Sequence, residues 1–156
     1  MTVAAEEGPV DDAFERSRQK RRGVRQASGE LEEALARPAG HDPQAWSKDA
    51  ADCLLRLLDA FESHVEQSEG ADGLLAEIVT AAPRLANSVQ QIKEEHRAIV
   101  ASIGRLESAA RVDEDVTNIQ KIREDALNVL RTVAGHRQRG ADLIYEAYSV
   151  DIEAGD

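Results

Sequence analysis

The sequence is poor in aromatic side chains, with two phenylalanines, two tyrosines and one tryptophan in 156 residues. A core made almost without them must be built from Leu, Ile, Val and Ala, and that composition favours helices over sheets. There is one cysteine, Cys53. A single thiol excludes an internal disulfide, a zinc finger and an iron–sulfur cluster. Set among apolar neighbours, it reads as a small buried hydrophobe. Apolar runs are short, and none approaches the ~18 residues that a membrane-spanning helix needs. The first residues, MTVAAEEGPVDD, lack the charged-then-apolar order of a signal peptide. A cytoplasmic location is therefore expected, with no membrane partner. Positive charge is scarce as well: 19 Lys and Arg stand against 30 Asp and Glu, a formal net charge of −11. Such a surface repels phosphate backbones, so no nucleic-acid partner is expected. The run RSRQKRRGVR, Arg16 to Arg25, goes against this balance. It reads as a solvated helix face, with a protein-docking patch as the alternative.

What the chain does contain is helical periodicity. Its length suits one domain with a real core. Residues 1–12 read as a polar tail, 13–149 as the domain and 150–156 as a second loose tail. A charged first helix is expected from Ala13 to Ala36, weakened by Gly23 and Gly29. RPAGHDP, Arg37 to Pro43, is a loop. Ser47 is the expected N-cap of a second helix, with Trp46 as a hydrophobic staple. That helix is expected to continue, kinked near Gly70 to Gly73, as far as Thr80. Pro83 fits the first turn of a third helix ending near Ala110. VDEDVTN, Val112 to Asn118, is a turn, and a fourth helix runs to Tyr148. No stretch alternates with period two, so no strands are expected.

Three of these helices carry a seven-residue apolar stripe. It passes through Leu54, Leu57, Phe61, His64 and Ser68 in the second. In the third it passes through Val89, Ile92, His96, Ile99, Ile103 and Leu106. In the fourth it includes Ile122, Ala126, Val129, Val133, His136 and Leu143. The 3-4 spacing directs these residues into the centre of a left-handed bundle. The expected fold is all-α, an antiparallel up-down-up-down four-helix bundle. Each stripe holds one histidine, and the fourth, His41, lies in the loop.

Stripe position fixes direction, and turn position fixes height. Residues equally far from a hairpin turn lie side by side. The midpoint between His64 and His96 falls in TAAPR, and that between His96 and His136 falls in VDEDVTN. Both segments are expected turns, so the three histidines are expected at one level, within ~3 Å at ~1.5 Å rise per residue. A lone histidine on an apolar stripe is usually a core residue hydrogen-bonded to a neighbour. Three at one level would repel when charged, or need separate partners when neutral. A metal ion satisfies all three at once, and imidazole suits iron, zinc or copper.

The segments around these histidines resemble the hemerythrin-like, HHE cation-binding family, from about Trp46 to Tyr148. HVEQSEGADGLLAEI resembles its second-helix segment, EEHRAIVASIGRL its third-helix segment and HRQRGADLIYEAY its fourth-helix segment. The resemblance implies a four-helix bundle with a non-haem di-iron centre that binds oxygen or senses oxygen, nitric oxide or iron. It also implies a second ligand one turn after each histidine, and another histidine on the first helix. Here Ser68, Val100 and Gly140, with Ala141 next, occupy the former places, and Arg18 stands near the latter.

Two irons less than ~4 Å apart need bridging carboxylates. Glu69 is the best substitute, although on a regular helix it points ~140° away from His64, each residue advancing ~100°. A π-bulge or a kink at Gly70 would swing it in. A solvated surface Glu is the plain alternative. Tyr145 and Tyr148 read as packing near a helix end, with a phenolate ligand as the alternative. The expected site is therefore metal on His64, His96 and His136, completed by Glu69 and water. The metal is mono- or dinuclear non-haem iron, with zinc or none as alternatives, and the partner is a diatomic or peroxide ligand. The competing reading is a metal-free bundle acting as a scaffold through Arg16 to Arg25. No acid–base pair, nucleophile–histidine set or phosphate loop specifies an enzyme. A peroxide- or iron-oxidising activity at the same site is the enzymatic alternative.

Overall fold

The computed structural model describes residues 8–112 and 118–150, and among them every side chain except those at 9, 10, 16–22, 112 and 150. All regular structure is helical, with no strand among the described residues. α1 spans Pro9–Ala36, α2 Pro43–Glu69 and α3 Leu74–Ala81. A 3₁₀ turn at Pro83–Leu85 leads into α4, Ala86–Val112. α5 spans Ile119–Tyr145 and ends in a π-helical turn, Glu146–Val150. α1, α2, α4 and α5 are long, at 27 or 28 residues, whereas α3 has 8. Among the described residues no helix is long and apolar enough to cross a membrane.

Among the long helices, α1 packs on α2 and α5, α4 packs on α2 and α5, and α2 and α5 meet over a smaller contact. The interior divides into two apolar clusters. The larger takes Leu31 and Leu35 from α1, Leu54, Leu57 and Phe61 from α2, Ile99 and Ile103 from α4, and Val129 and Val133 from α5. The smaller gathers Leu74, Leu75 and Ile78 of α3 with Leu85, Val89, Ile92, Leu143 and Ile144. Each large side chain fully buried this way contributes about 1.5–3 kcal/mol. His96 and His136 lie between residues of the two clusters along α4 and α5, and His64 follows Phe61 of the larger cluster along α2.

Several boundaries differ from the sequence expectation. α1 begins at Pro9, ahead of Ala13, because a proline in the first turn and Asp11 and Asp12 beside the helix N-terminus favour an earlier start. Gly23 and Gly29 do not interrupt it, since Val24, Ala27, Leu31, Ala34 and Leu35 bury its inner face. The cap of α2 is Asp42 rather than Ser47: its carboxylate accepts the Ala45 N–H at 3.0 Å, and Pro43 follows at the helix start. Trp46 is therefore inside the helix and buried. Its Nε1–H donates to Arg37 O at 2.9 Å, and the Arg123 guanidinium lies 5.2 Å from its ring centre. Of the turn expected at 112–118, residues 113–117 lie outside the described residues, as do 1–7 and 151–156 of the tails expected at 1–12 and 150–156.

The expected kink in the second helix is a full break. Gly70 ends α2, and its N–H bonds Glu66 O at 3.1 Å. Gly73 then folds back against the end of that helix. A Cβ there would stand 2.5 Å from Ser68 O and 2.7 Å from Gln67 O, so only glycine fits. The break lets α3 pack its Leu74, Leu75 and Ile78 over the second cluster. Gly73→Ala should destabilise the protein by about 1–3 kcal/mol. Gly104→Ala, in α4 where a Cβ meets nothing within 4 Å, should stabilise it by roughly 0.5–1 kcal/mol. Denaturant melts of the two variants check both signs.

Candidate metal centre

Phe61 and His64 follow one another by a turn on the inner stripe of α2. His96 takes the equivalent inner position of α4, and His136 that of α5. His96 and His136 are buried and His64 is half-buried. One ring nitrogen from each lies within 4.8 Å of the other two. Ring centres are 5.3 Å apart for His64–His96, 5.9 Å for His64–His136 and 4.7 Å for His96–His136. The Phe61 ring sits 5.6, 5.9 and 5.7 Å from the rings of His64, His96 and His136, so one apolar plug touches all three.

The imidazoles are not equivalent. His136 Nδ1–H donates to Glu95 Oε2 at 2.9 Å. Glu95 Oε1 accepts from Arg139 Nε, one turn after His136 on α5. That bond fixes the His136 tautomer and leaves Nε2 with a lone pair. His96 differs: both its ring nitrogens are buried with no hydrogen-bond partner among the described residues. Leaving such groups unsatisfied costs about 1–3 kcal/mol each. Glu69 Oε2 lies 3.5 Å from His96 Nδ1, close but outside hydrogen-bond geometry. Burial first, then the nearby His136 and Arg97, push the His96 pKa down from 6.5 to about 4 against an opposing pull from Glu95. His96 is thus neutral at pH 7, the state a metal requires.

Three converging imidazoles, two of them buried and one half-buried, could hold one metal ion. They do not suit two. Ser68 spends its hydroxyl on His64 O within its own helix, Val100 has no donor atom, and Gly140 has no side chain. Glu69 meets the group through His96 and is not among the residues whose ligand atoms converge. Arg18 and most of the basic run, at 16–22, lie among the side chains that are not described, and Arg25 is exposed. His41 is exposed in its loop. Tyr145 is 59% exposed, while Tyr148 is buried and donates its hydroxyl to Glu77 of α3 at 2.8 Å. Neither tyrosine belongs to the converging group.

Sequence reasoning missed Glu95. The signal was there: it directly precedes His96, and the hairpin rule that pairs His96 with His136 puts Glu95 at the same height. It was also silent on a cavity of about 360 Å³ bordered by all three histidines. Leucines and isoleucines of α3, α4 and α5 wall it, and exposed Arg25, Glu32, Ala134 and Arg137 line its outer side. No family model matches the chain, and no curated protein or solved structure matches it.

The His96 geometry sets a pH dependence for the metal-free protein. Its folded pKa is below its unfolded one, so the unfolded chain binds the extra proton between about pH 6.5 and 4. Stability is then lost as pH falls through that window and is unaffected above it. The expected loss at pH 5 is on the order of 2 kcal/mol. Denaturant melts at pH 7 and pH 5 should show it, and His96→Leu should flatten the slope between them.

Proposed function

We propose that this chain is a hemerythrin-like, antiparallel four-helix bundle that holds one divalent transition-metal ion on His64, His96 and His136. In this reading the bound ion leaves a coordination position for a small ligand such as oxygen, nitric oxide or peroxide. The observation that carries it is the convergence of three histidine nitrogens within 4.8 Å, in a layer where both nitrogens of His96 are buried without a hydrogen bond among the described residues.

The bundle topology is supported by contacts that run in opposite senses along neighbouring helices. Between α1 and its neighbour α2, Glu30 pairs with Arg56, while Arg37, just past α1, bonds Trp46. Between α2 and α4, Asp52 pairs with Arg111 and His64 meets His96. Between α4 and α5, Arg84, just ahead of α4, pairs with Glu146 while Glu95 pairs with His136. Imidazole suits iron, zinc and copper alike, and the family resemblance favours iron.

The chain's own residues have separable tasks. His136 offers Nε2 because Glu95 holds its other nitrogen, and Arg139 holds Glu95. Glu69 stands behind His96 in the comparable place. Phe61 and the larger apolar cluster exclude water from one side of the site. A bound ion would supply Lewis acidity at that dry position.

Metal content of protein purified without chelators or an affinity tag tests the reading. About one ion per chain is expected, lost in His96→Ala, with Glu95→Gln weakening metal affinity ~10–100-fold. About two irons per chain with oxo-bridge absorption would overturn the single-ion site. No metal after anaerobic iron(II) loading would overturn the metal altogether.

A further inference from the structure

We infer that the cavity beside the three histidines is a chamber for a monocarboxylate with a short hydrocarbon body, its carboxylate at the histidine group and its chain against the apolar wall. The inference rests on the metal reading above and adds the class of ligand.

Size comes first. At about 360 Å³, the cavity falls within the ~300–1,000 Å³ range of small-molecule sites. A diatomic molecule or peroxide would occupy a small part of it. The wall comes second. Leu74, Leu75 and Ile78 of α3, Ile92 of α4, and Leu143 and Ile144 of α5 line it without offering a polar side-chain atom. Such a surface takes a hydrocarbon and stays dry around it. Two small residues join this wall to the histidines. Ser68 and Gly140 each lie one turn beyond a histidine and both line the cavity, and a Cβ on Gly140 would meet nothing within 4 Å.

Charge decides the head group. Three neutral imidazoles leave a divalent ion's charge uncompensated in a poorly solvated core, which favours an anionic oxygen donor as the next ligand. Glu95 is committed to His136 and Arg139. The outer side of the cavity carries Arg25 and Arg137 against Glu32. On a chain of net charge −11, two guanidinium groups on this side favour an anion over a neutral ligand. Together these features select one acidic head and one short apolar tail.

The test uses the full chain loaded with cobalt(II), whose visible bands respond to changes in its own ligands. Acetate, hexanoate, octanoate and decanoate are titrated in turn. Each buried methylene is worth about a fourfold gain in affinity, so octanoate should shift the bands and bind at least ~100-fold tighter than acetate. Gly140→Leu fills the chamber. It should keep the cobalt spectrum while bringing octanoate and acetate to near equality. Leu75→Ala enlarges the chamber and should move the best chain length upward, which keeps the inference testable if the leucine variant does not fold. Cobalt bands that respond equally to acetate and octanoate would overturn the chamber and leave the metal site standing. Absence of cobalt binding by the unmodified chain would overturn both.

Discussion

Three imidazoles gathered at one level between two apolar clusters, two of them buried and one half-buried, set the terms for the rest of this molecule. Below them lie Phe61, Ile99 and Val133, and above them Ile92, Leu143 and the face of α3. In this layer His96 finds no hydrogen bond for either ring nitrogen among the described residues. A core selected for stability alone would place leucine at such positions. The two clusters are large enough to carry the polar layer, since each fully buried Leu, Ile or Phe contributes about 1.5–3 kcal/mol. The apolar packing holds the imidazoles in place, and the imidazoles keep the core from closing.

The sequence revealed the part of this arrangement that follows periodicity. Stripe spacing gave the inner faces of α2, α4 and α5, and the positions of TAAPR and VDEDVTN gave the shared height of the histidines. Local competition was harder to read. Ser47 looked like a cap, but Asp42 precedes a proline and wins because its carboxylate reaches Ala45 N. Gly70 and Gly73 suggested a bend, whereas the close approach of Gly73 to the Ser68 and Gln67 carbonyls ends one helix and starts another. Glu95 was hidden because it lies beside the stripe rather than on it. Its role depends on Arg139 and His136, far away in the chain. The cavity was not legible at all, since empty volume is a property of several helices together.

The departures from the hemerythrin-like pattern share one physical effect in the proposed reading. Ser68 and Gly140, each one turn beyond a histidine, line the cavity and offer no carboxylate for a second ion. Their small size leaves volume in place of charge. The same two small residues connect the histidines to an apolar wall. A site of this form would distinguish ligands by shape as well as by their affinity for metal.

The placement of the histidines also bears on chain entropy. An ion held by α2, α4 and α5 ties together three points separated by roughly 30–40 residues each, and so closes two loops in the manner of a covalent cross-link. α1 contributes no histidine and stands outside both loops. Among the described residues it is held by apolar packing, the Glu30–Arg56 pair and the hydrogen bonds of Arg123 to Leu35 O and Arg37 O. Metal binding would thus restrain three of the long helices directly and act on α1, which lines the outer side of the cavity, only through its packing on α2 and α5.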